Sequence, residues 1–399
     1  MKILQLCNRV PYPPTDGGSI AMHSLTQSLI KQGIEVKILA MNTSRHRVNI
    51  ASLPHDYTSK TKIEAVEIDT SVKPLAAFLN LFSTESYNVI RFDKPQVHDK
   101  LRAVLANNKF DIVQFESIFC APYLKTVREN SSATCVLRAH NVEHLIWKRM
   151  ADGSRGLKKL YLNLLAQRLK KYESEVVRKF DALLPMTTHD SKIFSDYAPE
   201  VAQQVVPIGL SADVYPYNEN QKEELSLFHL GAMDWLPNRE AVEWFLENCW
   251  LDLKNKFPQL KLYLAGRGFP QELKIEDSNI IYDDEIKNAV EYMQSKAIMV
   301  VPLLSGSGMR VKILQSFALG KSVVSTTIGA EGIECMDGEN ILIADSPSDF
   351  ISAVSKLITD SSLRKKISRN SHRLFMEKYS SERIAKEVIG FYNALTVNV

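Results

Sequence analysis

Two apolar strand patterns in the C-terminal half of the sequence each continue directly into a loop of small residues. The first pattern, residues 298–304, precedes the loop 305–308 and a helical segment, and the second, residues 322–326, precedes the loop 329–332. Open α/β sheets bind ligands beyond the carboxyl ends of their strands, which is where both loops would lie. The free N–H groups and the positive dipole end of the helix after the first loop favour an anion at this place.

Two cations and a second glycine loop extend this interpretation. Arg310 and Lys312 lie within one turn of the start of that helix, so the segment predicts a site for a phosphorylated ligand. Near the N-terminus, Gly17 and Gly18 lie between the first predicted strand and the first predicted helix, where the backbone can approach an anion closely. A plain tight turn is the alternative for these two glycines.

The 399 residues allow two domains, and each half alternates apolar strand patterns with helical patterns, which is typical of parallel sheets. The predicted strands are residues 2–7, 35–41, 112–115, 134–139, 182–185, 225–230, 261–265, 280–282, 297–301 and 322–326. The main predicted helices are residues 19–32, 156–180, 239–245 onward, 347–359, 362–378 and 381–395. We therefore predict an α/β protein with two Rossmann-like parallel-sheet domains, residues 1–208 and 209–378, joined by a polar linker over about 211–224 and followed by a C-terminal helix in 379–399.

Composition excludes several classes of protein. A formal net charge of +3 is too small to indicate a nucleic-acid partner. Five widely spaced cysteines without a Cys-x-x-Cys pair predict buried thiols, and no His/Asp cluster has metal-ligand spacing. No apolar run reaches the roughly 18–20 residues of a membrane span. We expect a cytoplasmic protein without a bound metal, a cofactor or a nucleic-acid partner.

The basic, leucine-rich segment 156–180 has two interpretations. It is either a solvated outer helix face over an apolar core stripe, or an amphipathic surface that touches anionic lipid head groups. The second interpretation predicts a peripheral contact with the inner membrane.

Polar residues also follow two predicted strands of the first half. His140 follows residues 134–139, where it can donate to a sugar hydroxyl or carry a proton near neutral pH, or else serve as a hydrogen-bonded structural histidine. Glu116 follows residues 112–115 and is either an acceptor contact or a surface charge. The sequence contains neither a nucleophile elbow nor a P-loop.

Five segments together carry a resemblance to a known family: residues 8–19, 86–92, 138–143, 231–238 and 308–332. In combination they resemble GT-B-fold glycosyltransferases, specifically the retaining family 4 (glycosyltransferase group 1), in a subgroup linked to bacterial exopolysaccharide synthesis. The resemblance covers about residues 1–395.

The resemblance implies a hexosyl-type transferase that moves a sugar from a nucleotide diphosphate sugar to a glycan or lipid-linked acceptor, with retention of the anomeric configuration. Two Rossmann-like domains would face a cleft, with the donor on the C-terminal domain, the acceptor on the N-terminal one, and the last helix crossing back. It places His140 near the transferred sugar and Arg310 and Lys312 at the diphosphate. The implied donor contacts are Gly17, Gly18, Gly231, Ser307, Gly308, Gln315 and Glu331, and the acceptor-side residues are Glu116 and Asn141.

The family usually carries two glutamates, eight residues apart, where this sequence has Ser307 and Gln315. The Gln315 amide can still bond ribose hydroxyls, with one acceptor and two donors. Two alternative functions remain open at this point: an epimerase acting on a nucleotide sugar, and a weakly active nucleotide-sugar-binding partner in a glycan assembly complex.

Overall fold

The computed structural model describes residues 1–221, 223–284, 286–306 and 308–397. The chain divides into two compact units, one formed by Met1–Gly209 with Ile384–Val399 and the other by Leu210–Arg383. Each unit is a parallel sheet with helices packed on it, so the predicted α/β class with two Rossmann-like parallel-sheet domains is confirmed.

Within the described residues, the first unit contains a seven-stranded parallel sheet in the order β3-β2-β1-β4-β5-β6-β7. Its strands are β1 (Lys2–Cys7), β2 (Glu35–Thr43), β3 (Glu64–Ile68), β4 (Ile112–Glu116), β5 (Thr134–Ala139), β6 (Ala182–Pro185) and β7 (Ala202–Gln203). Its helices are α1 (Gly17–Lys31), α2 (His55–Thr61), α3 (Pro74–Asn80), α4 (Tyr87–Ile90), α5 (Pro95–Ala106), α6 (Leu124–Asn130), α7 (Glu143–Asp152), α8 (Gly156–Val176) and α9 (Thr188–Tyr197). Short 3₁₀ turns are Ser44–His46, Ile50–Ser52, Ile118–Tyr123 and Val177–Lys179.

The second unit, over the part of it that the structure describes, has a six-stranded parallel sheet in the order β10-β9-β8-β11-β12-β13. Its strands are β8 (Glu224–Leu230), β9 (Leu262–Ala265), β10 (Ile280–Asp283), β11 (Lys296–Val301), β12 (Ser322–Ser325) and β13 (Leu342–Ile343). Its helices are α10 (Leu236–Phe245), α11 (Leu251–Lys256), α12 (Ala289–Gln294), α13 (Val311–Ala318), α14 (Pro347–Thr359) and α15 (Ser361–Leu374), with a 3₁₀ turn at Gln271–Leu273 and π-helical turns at Leu246–Trp250 and Phe375–Tyr379. The last helix is α16 (Ser381–Val397).

Both faces of the first sheet are covered, which explains its continuous apolar strands. Alternate residues of β1 point to opposite sides, so Leu4 and Leu6 belong to one buried cluster and Ile3 and Cys7 to another. Helix α16 contributes to the second of these clusters through Ile384, Ala385, Val388 and Tyr392.

The strand order places a topological switch point in each sheet. In the first sheet the chain proceeds from β1 to β2 and β3 on one side and then returns to β4 on the other side of β1. In the second sheet it proceeds from β8 to β9 and β10 and then returns to β11 on the other side of β8. The loops at the carboxyl ends of β1, β4, β8 and β11 are therefore the places where these two sheets leave a crevice for a ligand.

The predicted polar linker contains no helix or strand within residues 211–221, but it is not a free tether. The Tyr217 ring stacks on His372 of α15 at 4.0 Å between ring centroids, and the Tyr215 hydroxyl accepts a hydrogen bond from Gln315 of α13. These two contacts tie the segment to the second unit. The prediction of buried thiols is confirmed for Cys7, Cys120, Cys135 and Cys249 and is wrong for Cys335, which is half-buried.

Candidate functional site

A buried histidine and a lysine meet at the switch point of the second sheet. His229 of β8 donates from Nδ1 to the Val300 carbonyl of β11 at 2.9 Å, so Nε2 carries the lone pair. Lys312 Nζ lies 3.3 Å from that Nε2 and donates to Asn238 Oδ1 at 2.8 Å. Asn238 in turn donates from Nδ2 to the Ala232 carbonyl at 2.8 Å. The loop after β8 and the first turns of α10 and α13 are thus fixed around the Lys312 ammonium.

Burial and charge lower the pKa values of this pair. Burial lowers the pKa of His229 well below its ordinary value, and the Lys312 charge acts in the same direction. The pKa of Lys312 falls to about 7, first because of burial and second because of the Arg310 guanidinium. A Cβ built on Gly231 would lie 2.5 Å from Asn238 Nδ2 and 2.7 Å from Lys312 Nζ, so the absence of a side chain here leaves room for both groups.

Arg310 is the second cation of this group and immediately precedes α13. It is only 5% exposed, its guanidinium lies 5.5 Å from the centre of the Trp235 ring, and Nη1 donates to the Gly308 carbonyl. Gly306 has a φ of +110°, and a Cβ there would lie 3.0 Å from Arg310 Nη2 and 3.1 Å from the Trp235 ring. The small-residue loop therefore lets backbone, guanidinium and indole pack together at the start of α13.

The loop after β11 is also anchored to α10 and to the loop after β12. Ser305 Oγ donates to Glu240 Oε2 at 2.6 Å. Thr326 Oγ1 donates to the Leu303 carbonyl at 2.5 Å and accepts from the Gly329 N–H at 2.9 Å. These contacts make the two predicted ligand loops neighbours. Ser307, a predicted donor contact, lies outside the described residues.

Gln315 and Glu331 are the remaining predicted donor contacts of the second unit. Gln315, one turn into α13, is half-buried and donates from Nε2 to the Tyr215 hydroxyl at 2.9 Å, so one of its amide donors is already used. Glu331 is half-buried in the loop after β12. Tyr215, His229 and Asn238 were not among the residues predicted from the sequence.

In the first unit, Glu116 ends β4 and is fully buried. It accepts from His140 Nε2 at 2.6 Å and from Gln114 Nε2, and Arg138 Nη1 lies 3.5 Å from its carboxylate. The surface-charge interpretation of Glu116 is therefore wrong, because β4 is an inner strand flanked by β1 and β5. Its acceptor contact stays a prediction.

The environment of Glu116 fixes the protonation of His140. Burial raises the pKa of Glu116, but Arg138 and His140 together outweigh it and hold this pKa below its ordinary value. Burial lowers the pKa of His140, although Glu116 opposes the shift. The result is an ionised carboxylate and a neutral imidazole that donates from Nε2 and keeps a lone pair on Nδ1.

Asn141, predicted on the acceptor side, donates from Nδ2 to Glu143 Oε1 at 3.2 Å. Burial, followed by the neighbouring Glu173 charge, raises the pKa of Glu143 to about 7. A carboxylate that titrates near neutral pH is a candidate acid or base. The sequence could not single it out, because Glu173 is contributed by α8, 30 residues further along the chain.

Gly17 and Gly18 begin α1, whose N-cap is Asp16. Asp16 Oδ1 accepts from the N–H groups of Gly18 and Ser19 at 3.0 and 3.1 Å, and Arg9 forms a salt bridge with Asp16 at 2.7 Å. A Cβ on Gly18 would lie 2.1 Å from Arg9 Nη2, so this glycine makes room for the guanidinium. An anion at this helix end would compete with Asp16, and the predicted diphosphate contact stays a prediction.

Among the described residues, no three His, Cys, Asp or Glu side chains are grouped as a metal site requires.

Comparison with known proteins connects this geometry to a family. Residues 224–360, which contain the Arg310 and Lys312 cluster, match the family model described as "Glycosyl transferases group 1". An uncharacterized 44.6 kDa protein in the cps region of Klebsiella pneumoniae is 24% identical over 407 residues, covering 97% of this chain and 98% of that protein.

Two solved structures share the fold over the whole length. Sucrose-phosphate synthase from Thermosynechococcus elongatus has a TM-score of 0.70 at 13% identity, with 100% of both chains covered. HepE from Anabaena, in complex with UDP-glucose, has a TM-score of 0.66 at 11% identity, covering 99% of this chain and 100% of HepE. Residues 224–360 thus match the group 1 glycosyltransferase family, and the chain has the GT-B fold that it shares with these solved structures.

Proposed function

We propose that the protein transfers a hexosyl group from a nucleotide diphosphate sugar to a glycan or lipid-linked acceptor, with retention of configuration. The observation that carries the proposal is the convergence of Arg310 and Lys312 at the start of α13, beside the loops that follow β8 and β11. The UDP-glucose complex of HepE, which has the same fold, supports a nucleotide sugar as the ligand.

The chemistry that this site supports is stabilisation of a departing diphosphate. The bond between the anomeric carbon and the diphosphate oxygen breaks, an acceptor hydroxyl bonds to that carbon, and its proton passes to the leaving phosphate. Negative charge therefore grows on the diphosphate in the transition state. Arg310, Lys312 and the free N–H groups of α13 would meet that charge with preorganised donors, which is usually the largest catalytic contribution in such sites. Retention rests on the family resemblance.

His140 would accept a hydrogen bond from a sugar hydroxyl through its Nδ1 lone pair. Glu116 is then a positioning residue, because it holds His140 through Nε2 and fixes the ring's tautomer. The buried Arg138 keeps the carboxylate charged, since its guanidinium lies 3.5 Å away.

Nucleotide release separates the candidate functions. Incubation with a panel of nucleotide diphosphate sugars and lipid-linked or oligosaccharide acceptors is expected to release nucleoside diphosphate from one donor, in an acceptor-dependent manner. Conversion of the donor to a sugar epimer without release would favour the epimerase alternative. Tight donor binding with neither reaction across the panel would favour the binding-partner alternative and contradict the transferase.

We also propose that α8, together with α3, rests on an anionic membrane surface. The apolar stripe of α8 is buried through Leu162, Leu165 and Leu169, but its first turns expose Leu157 and Leu160 beside two exposed lysines, Lys158 and Lys159. Apolar side chains among basic ones fit the boundary between acyl chains and anionic head groups. None of the described helices is long and apolar enough to cross a membrane.

Helix α3 enlarges the same patch. Arg168 of α8 donates to the carbonyls of Asn80 and Leu81 at 2.7 and 3.0 Å, which holds the end of α3 against α8. Phe78 is 57% exposed and Phe82 is 81% exposed. Two phenylalanines exposed to this degree, at the end of a helix held against α8, form a surface that lipid would cover.

Vesicle binding tests the membrane contact. Wild-type protein is expected to sediment with vesicles that contain phosphatidylglycerol, and Phe82→Ser should weaken this binding about tenfold, since burying one such side chain contributes roughly 1.5 kcal/mol or more. Leu251→Ser is the matched control, because Leu251 is 64% exposed but lies on α11. Equal sedimentation of all three proteins, or none by the wild type, would contradict the proposal.

A further inference from the structure

A cavity of about 530 Å³ lies at the carboxyl ends of β1 and β2 in the first unit, and none of the described residues lining it is acidic. Arg9, Arg45, His46 and Arg91 contribute its basic groups. The segments 8–19 and 86–92, which carry part of the family resemblance, supply Arg9 and Arg91 to it. The role proposed above for the Arg310 and Lys312 cluster does not use this cavity.

Buried polar atoms in the cavity wall have no partner within the described residues. Thr43, which lines the cavity, is 3% exposed, and its Oγ1 forms no hydrogen bond. Asn8 Oδ1 and Arg91 Nε are likewise buried and unbonded. Leaving a buried polar group unsatisfied costs about 1–3 kcal/mol, which a ligand with matching oxygens and hydroxyls would recover.

The cationic charge of the wall is only partly compensated. Arg9 is paired with Asp16, whereas Arg45 and Arg91 form no salt bridge with any described residue. Arg91 donates from Nη1 to the Thr70 carbonyl at 2.8 Å and packs over the Tyr87 ring at 5.5 Å. Burial lowers the pKa of Arg91, as expected for a cation removed from water without a counter-ion.

Acidic groups just beyond the cavity already have partners. Glu67 pairs with Arg47 at 2.6 Å, and Asp69 pairs with Lys73 at 3.4 Å. Within the described part of the chain, an anion from outside is therefore the group that would balance Arg45 and Arg91. Bidentate hydrogen bonding from arginine suits carboxylate and phosphate equally well.

An aromatic wall adds a second recognition element. The rings of Phe92 and Phe119, which both line the cavity, are stacked with their centroids 4.8 Å apart and 19° between their planes. An apolar ring face suits the C–H face of a pyranose, and the polar wall suits its hydroxyls. Cations, an unbonded hydroxyl and aromatic faces are thus combined in one cavity.

We propose that this cavity binds a sugar that carries an oxyanion, either a carboxylate or a phosphate, as part of the acceptor. Identifying the bound sugar as the acceptor rests on the proposed transferase function, whereas the binding of an anionic sugar does not depend on it. It also identifies Arg45 and Thr43 as specificity residues of the first unit.

Isothermal titration with three small probes tests this binding: methyl β-D-glucuronide, glucose 1-phosphate and methyl β-D-glucoside. The wild type is expected to bind at least one anionic probe at least tenfold more tightly than the neutral one. Preference between the two anionic probes identifies the source of the oxyanion. Equal affinity for all three probes would overturn the proposal.

Two variants localise the site. Arg45→Ala should weaken binding of the anionic probe at least tenfold. Thr43→Val, which keeps the side-chain shape, should weaken this binding about fivefold, because one hydrogen bond is lost. Arg47→Ala is the matched control, because Arg47 is also exposed, pairs with Glu67 and does not line the cavity. Equal effects of Arg45→Ala and Arg47→Ala would overturn the proposal.

Competition distinguishes this cavity from the donor site. UDP-glucose is expected to leave the affinity for the anionic probe unchanged, and displacement of the probe by UDP-glucose would assign the cavity to the donor and overturn the proposal. Probe binding that depends on Arg45 in a protein that releases no nucleotide would support the cavity assignment while the transferase function fails.

Discussion

Replacing Arg310 by alanine is expected to lower kcat/KM for the nucleotide sugar by about 100- to 1000-fold, the range seen when one donor to a developing anion is removed. Arg310 is 5% exposed and lies at the start of α13, so little water can replace its charge. The loss should appear in kcat as well as in KM, because charge on the diphosphate increases as the sugar departs.

Two further variants show whether charge or geometry causes this loss. Arg310→Lys keeps the cation but removes the planar fork, so its activity should lie between those of the wild type and the alanine variant. Arg267→Ala is the control, since Arg267 lies in the loop after β9, is exposed and pairs with Asp234 at 2.7 Å. The kcat/KM of Arg267→Ala should remain within twofold of the wild-type value.

The melting temperature must accompany these assays, because Arg310 also donates to the Gly308 carbonyl and supports its own loop. Wild-type kinetics in a folded Arg310→Ala protein would remove Arg310 from the proposed mechanism. Loss of activity together with a large drop in Tm would instead assign Arg310 to the structure of the loop.

The sequence predicts the inner strands of both sheets well because they are buried on both faces. The predicted bounds of β1, β5 and β6 agree with the structure at both ends. Strand β3 was not predicted, because it lies at the sheet edge and its sequence, Glu-Ala-Val-Glu-Ile, has two glutamates in five residues. Strand β13 has two residues, which is too short for any periodicity.

Residues of the candidate site could be predicted from the sequence only where they lie close together in one segment. Arg310 and Lys312 follow a recognisable strand and loop, so their role as cations at a helix start could be inferred from spacing. His229 lies within an apolar strand, 83 residues before Lys312 in the chain, and its contact with Lys312 depends on the pairing of β8 with β11. No local pattern encodes that pairing.

The same reasoning explains why the surface-charge interpretation of Glu116 was wrong. A glutamate at a predicted strand end can be solvated or buried, and the sequence offers no local means of deciding. The parallel register sets Glu116 opposite Arg138 on β5, and this neighbour makes a buried carboxylate tolerable. The cavity formed by Arg45, Arg91 and Thr43 also arises from separate segments that only the fold brings together.

Binding of the nucleotide diphosphate sugar at pH 8 is expected to take up close to one proton through Lys312. In the free protein the pKa of Lys312 is about 7, lowered first by burial and then by Arg310, so at pH 8 about one molecule in ten is protonated. A bound diphosphate stabilises the ammonium and raises this pKa, so binding draws a proton from solution. The diphosphate of a nucleotide sugar has no ionisation near neutral pH that would mask the effect.

The direction of the pH dependence follows from this linkage. At pH 6, Lys312 is already protonated, so proton uptake should be near zero and donor affinity maximal. Above pH 7, affinity should fall by up to about tenfold per pH unit, until the pH reaches the raised pKa of the complex. Isothermal titration in HEPES and Tris buffers, which differ in ionisation enthalpy, measures the uptake directly.

The variant Lys312→Met tests whether Lys312 is the group that takes up the proton, because methionine preserves an unbranched side chain of similar length without a titrating group. The variant should bind donor about 100-fold more weakly at pH 6, where the wild type has its full cation, with no proton uptake at pH 8 and a flat pH dependence. Lys254→Met is the control, since Lys254 lies in the same unit and pairs with Asp277 at 2.8 Å. Proton uptake that persists in Lys312→Met would place the titrating group elsewhere, and the neutral imidazole of His229, 3.3 Å from Lys312, would then be the next residue to replace.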